Sequence, residues 1–159
     1  MSLKAGDIFP SGIFRIKDHE GLKEISTEEY FKSRKVVLFA LPGAFTPTCS
    51  AKHLPGFINN YEKIISMGVS KIACMAVNDP HVMQAWGEVS NVNDKIDMLS
   101  DSDCSVSKSL GLDHNFGKVL GHRSKRFAII VDNNVIQKIF VEEIGAFDVS
   151  TAENILNNL

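Results

Sequence analysis

Three stretches of this chain are apolar at almost every position, and that pattern limits the fold more than any other feature. Val36, Val37, Leu38, Phe39, Ala40 and Leu41 follow one another without a polar residue. Ile72, Ala73, Cys74, Met75, Ala76 and Val77 repeat the pattern, and Phe127, Ala128, Ile129, Ile130 and Val131 form the third run. A strand with one wet face alternates apolar and polar residues. A continuous β-branched and aromatic run therefore belongs to a strand covered on both faces. Such strands need a layer above and a layer below, which points to an α/β architecture.

The segments between the runs supply those layers. Residues 48–67 read as helix, because Leu54, Phe57, Ile58, Tyr61, Ile64 and Ile65 recur at three- and four-residue steps and Gly68 supplies a stop. Pro55 should kink that helix or mark its restart. After the second run, Asp79 can cap a helix reaching about Ser90, with Pro80 in its first turn. Residues 96–100 form a short strand, and residues 105–110 a short helix closed by Gly111. The third run and residues 135–141 are strands joined by Asp132-Asn133-Asn134, a hairpin signal. Residues 150–159 end the chain as a helix, with Ser150 as cap and Glu153 completing a capping box. The order predicts an α/β fold with a mixed central sheet flanked by helices, parallel in part and antiparallel at the end. The thioredoxin-like layout fits that order.

With 159 residues the chain fits one domain spanning 1–159, large enough to bury a core without staples. A net charge of −2 and the lack of a basic tail argue against a general nucleic-acid binder. The longest apolar run is far too short to cross a bilayer, and the N-terminus does not read as a signal peptide. A cytoplasmic setting is the expectation. Three cysteines, Cys49, Cys74 and Cys104, make an odd number, which favours free thiols over a disulfide framework. No Cys-x2-Cys or His-x3-His spacing occurs, so neither a metal nor another cofactor is expected.

Cys49 lies just past the first buried run, in the first turn of the helix that follows. Open α/β sheets place reactive groups at such strand ends, and unpaired N–H groups with the helix dipole favour a thiolate there. Thr46, three residues earlier, can set its hydroxyl beside the sulfur, to donate to it or to a bound oxygen. Pro42 and Pro47 stiffen the loop. These local features leave two readings open: a nucleophile, or the small buried hydrophobe that a lone cysteine more often is.

Pro42-x3-Thr46-x2-Cys49 matches the signature Pro-x3-Thr/Ser-x2-Cys. The longer string Leu41-Pro42-Gly43-Ala44-Phe45-Thr46-Pro47-Thr48-Cys49-Ser50-x2-His53-x-Pro55-Gly56-Phe57 resembles the peroxiredoxin-5 subfamily, the type II peroxiredoxins. Val77-Asn78-Asp79-Pro80-x-Val82-Met83-x-Ala85-Trp86 and Gly121-x-Arg123-Ser124-x-Arg126-Phe127 extend the resemblance over most of the chain. It implies a thiol peroxidase acting on hydrogen peroxide and small organic hydroperoxides. Cys49 would become a sulfenic acid, Arg126 would stabilise the thiolate and the breaking O–O bond, Thr46 would bond the peroxide, and Pro42 would shield the site. Arg123 would support the site or the nearby surface. It also implies a homodimer formed through the active-site end, near Phe45, the Asn78-Asp79-Pro80 turn and Arg123.

Regeneration of the thiol is less legible. Some members of this subfamily carry a resolving cysteine near the C-terminus, but residues 145–151 contain none. Cys74 has the position of a second cysteine found in plant and many bacterial members. Its strand is apolar on both faces, so a core role is expected, with resolution as the alternative. Cys104 reads as a partly exposed loop thiol. The expectation is a one-Cys cycle, with glutathione and glutaredoxin, or thioredoxin, as reductant. His53 lies one helical turn beyond Cys49, a spacing that superficially permits a Cys–His pair. The resemblance implies that it is no general base. A thioredoxin-type disulfide reductase would need a cysteine where Lys52 stands. A redox-sensing or partner-binding protein using the same oxidisable thiol is the remaining alternative.

Overall fold

The computed structural model describes residues 3–159. Seven strands form one sheet: β1 (Ile13–Asp18), β2 (Gly21–Ser26), β3 (Lys35–Ala40), β4 (Lys71–Ala76), β5 (Ile96–Ser100), β8 (Phe127–Asp132) and β9 (Val135–Val141), in the order β2-β1-β5-β4-β3-β8-β9. Only β3, β4 and β5 run parallel, and they occupy the centre. The flanks β1–β2 and β8–β9 are antiparallel hairpins. A separate ribbon pairs β6 (Asp113–Asn115) with β7 (His122–Ser124), around the helical turn α6 (Gly117–Leu120).

The apolar runs take the central positions, and their side chains divide between two cores as a pleated strand requires. Val37, Phe39 and Leu41 face one core with Ile72, Cys74, Leu54, Phe57 and Trp86. Val36, Leu38 and Ala40 face the other with Phe14, Phe31, Leu99, Val106, Phe127 and Ile129. Helices cover both cores: α1 (Thr27–Phe31) and α5 (Ser105–Leu110) on one side; α2 (Leu54–Asn59), α3 (Tyr61–Ser66), α4 (Pro80–Val89) and α7 (Ala152–Asn157) on the other.

Several local expectations are met by their own chemistry. Asp79 caps α4 by accepting from the N–H groups of His81 and Val82 at 2.8 and 3.0 Å, with Pro80 behind it. Asn133 and Asn134 join β8 to β9 with φ of 46° and 70°, the pair of left-handed residues a two-residue type I′ turn demands.

Four features differ from the sequence reading. The β1–β2 hairpin, α1 and the β6–α6–β7 ribbon go unassigned there, because they are short or carry charged side chains and lack a continuous apolar run. The helix expected over 48–67 is broken in two places. Residues Cys49–His53 form a π-helical turn, in which the Leu54 N–H reaches the Cys49 carbonyl; the α-helix restarts at Leu54 and Pro55, as expected, and the chain breaks again at Asn60. Pro55 has no N–H to lose, so it sits without penalty in the first turn of α2. The last helix is capped by Thr151, whose hydroxyl accepts from the Asn154 N–H at 3.1 Å, and Ser150 is committed elsewhere. Cys104 is buried rather than partly exposed, in the left-handed residue before α5. Among the described residues no helix is long and apolar enough to cross a membrane.

Candidate active site

β3 lies between β4 and β8, so the chain leaving it passes over the C-terminal edge of the parallel centre. The loop to Cys49 is fixed from three sides. Asn78, just past β4, accepts from the Ala44 N–H at 2.8 Å. Arg123 of β7 donates to the Pro42 carbonyl at 3.0 Å and to the Leu120 carbonyl at 2.7 Å. Its guanidinium lies so close over Gly43 that any Cβ there would overlap it. Trp86 of α4 donates to the Ser50 hydroxyl at 3.1 Å and ties down the start of the π-helical turn.

Thr46 departs from one of its expected roles. Its hydroxyl donates to the Gly43 carbonyl at 2.7 Å, so its proton is spent inside the loop. What it offers a bound molecule is oxygen lone pairs, which suit the O–H of a hydroperoxide.

Cys49 opens the π-helical turn, and its side chain is fully buried in the core beside α2. Arg126 precedes β8, 77 residues along the chain, and its Nη2 donates to the Cys49 sulfur at 3.1 Å. A guanidinium aimed at a sulfur is an arrangement that stabilises a thiolate. The other terminal nitrogen, Nη1, lies 2.8 Å from His53 Nδ1. His53 is fully buried, and its Nε2 lies 3.0 Å from the Ser150 carbonyl. A carbonyl accepts only, so Nε2 carries the proton and Nδ1 accepts from Arg126. Burial, and then the Arg126 charge, push the imidazole down to about 3, against the opposing pull of the Ser150 carbonyl. His53 is therefore a neutral acceptor and a poor general base. Its contact is with the arginine, which the sequence reading had not foreseen.

A cavity of about 200 Å³ is lined by Pro42, Thr48, Phe116, Arg126, Glu142 and Ile144, among others. Arg126 links it to the Cys49 sulfur, which does not itself line it, and neither does Thr46. Cys74, on β4 between Phe39 and Met98, is wholly buried; burial, and then the neighbouring Cys49 charge, push its thiol well up. Burial also pushes the Cys104 thiol up. Among the described residues no group of three or more His, Cys, Asp or Glu is placed to hold a metal ion.

Asn78, His53 and Glu142 were absent from the expected site. Asn78 stands inside a quoted motif and His53 inside the Cys49 string. Their partners, a backbone N–H and a distant arginine, are not written in local spacing.

The Redoxin family model matches residues 4–156. Peroxiredoxin-2D of Arabidopsis thaliana is 41% identical over 159 residues, covering 99% of this chain and 98% of that protein. The reduced Prx3 of Vibrio vulnificus in complex with hydrogen peroxide is similar at a TM-score of 0.96, with 43% identity over 98% of each chain. The antioxidant protein (1-Cys peroxiredoxin) of Plasmodium falciparum matches at a TM-score of 0.92 and 31% identity, over 99% of this chain and 100% of that one. With a thioredoxin-like fold under a cysteine and arginine in contact, the chain belongs to the type II (peroxiredoxin-5) group of the peroxiredoxins and is a thiol-dependent peroxidase.

Proposed function

We propose that Cys49 is the peroxidatic cysteine of a one-Cys cycle, with Arg126, Thr46 and Pro42 as the groups around the reacting atoms. The observation that carries this reading is the 3.1 Å contact from Arg126 Nη2 to the Cys49 sulfur, with Arg126 also bordering a cavity of about 200 Å³. The Cys49 thiolate attacks the nearer peroxide oxygen, an S–O bond forms, and the O–O bond breaks. The sulfur is oxidised by two electrons to a sulfenic acid, and the departing oxygen leaves as water or an alcohol after taking a proton. Arg126 faces the charge that develops along the breaking bond. Thr46 accepts from the peroxide O–H, Pro42 walls the cavity, and Arg123 holds the Pro42 carbonyl.

Regeneration then needs an external thiol, which condenses with the sulfenic acid to a mixed disulfide and releases water. A second thiol frees Cys49. Glutathione with glutaredoxin, or thioredoxin, is the proposed reductant, in a reducing compartment such as the cytoplasm. Burial of Cys74 and Cys104 supports this cycle, as does the likeness to a 1-Cys peroxiredoxin. A second copy of the chain is the proposed partner at Phe45. That ring is 53% exposed, in a left-handed backbone (φ 65°), beside a groove lined by Trp86, Ile58 and Val89.

Peroxide consumption by the purified protein tests the reading, with glutathione plus glutaredoxin compared against thioredoxin. Cys49→Ser is expected to abolish turnover, and Arg126→Met to slow sulfur oxidation about 10²–10³-fold. Cys74→Ser is expected to leave the steady state intact. Full activity in Cys49→Ser would refute the assignment, and loss of turnover with intact first oxidation in Cys74→Ser would refute the one-Cys cycle.

A further inference from the structure

Glu142 is a buried acid that the peroxidase chemistry leaves unused, just beyond the last strand. Its Oε2 accepts from the Asp148 N–H at 2.7 Å, the Ser150 N–H at 2.8 Å and the Ser150 hydroxyl at 2.7 Å. Burial pushes its carboxyl up, but these N–H and O–H donors outweigh it and hold the group below the ordinary carboxylate value. One ionised side chain thus closes the whole loop from residue 142 to 150.

That loop delivers a single atom to the site. The Ser150 carbonyl accepts from His53 Nε2, which leaves the His53 Nδ1 lone pair facing Arg126 Nη1. Arg126 then has one terminal nitrogen occupied and the other directed at Cys49. The circuit closes on itself, because the Glu142 backbone N–H donates to the Arg126 carbonyl at 3.0 Å. Phe147, carried by the same loop, packs its ring 5.2 Å from the His53 ring and 5.7 Å from the Arg126 guanidinium.

We propose that Glu142 is a positioning residue for the peroxidatic thiolate, acting through Ser150 and His53 on the orientation of Arg126. The inference rests on Cys49 being the peroxidatic cysteine. A guanidinium left to rotate spends part of its time away from the sulfur. A guanidinium bonded on its far side to a fixed imidazole does not, and it pays no reorganisation when charge builds on the peroxide. His53 can do this only in the tautomer that the Ser150 carbonyl selects, and Glu142 is what keeps that carbonyl in place. The charged group that faces Cys49 and His53 is Arg126 ahead of β8, with Cys74 of β4 beside Cys49, while Glu142 and Glu143 line the cavity that Arg126 borders.

The test is a double-mutant cycle on the full-length protein with two readouts, the pH titration of Cys49 followed by thiolate absorbance and the rate constant for its oxidation by hydrogen peroxide. Glu142→Gln keeps the shape and removes the charge. It should move the Cys49 titration to higher pH and slow oxidation roughly tenfold, the scale of loss when a partner that orients a reacting group is removed. In a His53→Leu background the same substitution should change neither quantity, because the route to Arg126 is already cut. Equal effects in both backgrounds, or a loss of thermal stability with an unchanged titration and rate, would overturn the proposal. Should Glu142→Gln fail to fold, Ser150→Pro, which removes the N–H and hydroxyl that Glu142 holds, is read in the same cycle. If the peroxidase assignment is what fails, the unsubstituted protein consumes no peroxide, while the Cys49 titration still reports whether Glu142 acts on it.

Discussion

At the scale of single residues, the site is a set of groups each deprived of one freedom. Arg126 has both terminal nitrogens engaged, Thr46 has spent its proton on Gly43, and His53 is buried as the neutral tautomer. The last has a consequence for stability. His53 titrates near its ordinary value of 6.5 in the unfolded chain but only at about 3 in the folded one. Between these values the unfolded state binds the extra proton, so acid favours unfolding and stability rises with pH across that window. From pH 6.5 down to 5 the loss amounts to about 2 kcal/mol. Denaturant unfolding at both pH values should show it, and the His53→Gln protein should lack that part of the slope. Equal pH dependence in the two proteins would mean that His53 is not held neutral. The residue scale is also where sequence and structure part. Cys49, Thr46 and Pro42 lie within one short string, whereas Arg126 is picked out only through the family resemblance. His53 and Glu142 act through a backbone carbonyl at residue 150, and no side-chain pattern records a carbonyl's position.

At the scale of elements, the loop between β3 and the π-helical turn is rigid because neighbours grip its backbone. Arg123 from β7 and Asn78 beyond β4 bond Pro42 and Ala44, and Gly43 between them has no room for a side chain. A methyl group at Gly43 must displace the Arg123 guanidinium, and the cost is the bond to the Pro42 carbonyl that it gives up, about 1–3 kcal/mol. Gly43→Ala should therefore lower the melting temperature and slow oxidation of Cys49. Adding Arg123→Ala should cost little more stability and not restore the rate, since the grip on Pro42 is lost in both. Additive losses of stability in the double variant would contradict this geometry. The irregular helix has a related cause. Its apolar period is correct over residues 54–65, and periodicity alone reads a continuous helix. The π turn at its start places Cys49 beside Arg126 and His53 beside the Ser150 carbonyl, and at the Asn60 break the side chain donates back to the Gly56 carbonyl at 2.8 Å.

At the scale of the whole molecule, the sheet separates two cores, and only one of them carries the site. The central strands were legible because both cores draw on them. The β1–β2 hairpin was not, since it lies at the sheet's open edge and needs only a half-apolar pattern. Cys49 belongs to the core that holds Phe39, Leu54, Phe57 and Trp86. Within it Phe57 stacks on Phe39 with ring centroids 4.1 Å apart and 8° between planes, and both rings border His53. Leu99 lies across the sheet in the other core and is equally buried. Truncating either side chain removes buried apolar surface and leaves a cavity, costing about 2–5 kcal/mol for Leu99→Ala and about 3–5 kcal/mol for Phe57→Ala. Stability alone cannot tell them apart, but chemistry can. Loss of Phe57 frees the His53 ring and with it the far side of Arg126, so oxidation of Cys49 should slow well below that of the original protein under conditions where the variant stays folded. Loss of Leu99 should leave the oxidation rate of the folded fraction unchanged. Equal rates in the two folded variants would show that the sheet's two faces do not divide the work in this way, and that the thiolate's surroundings are set by the loops alone.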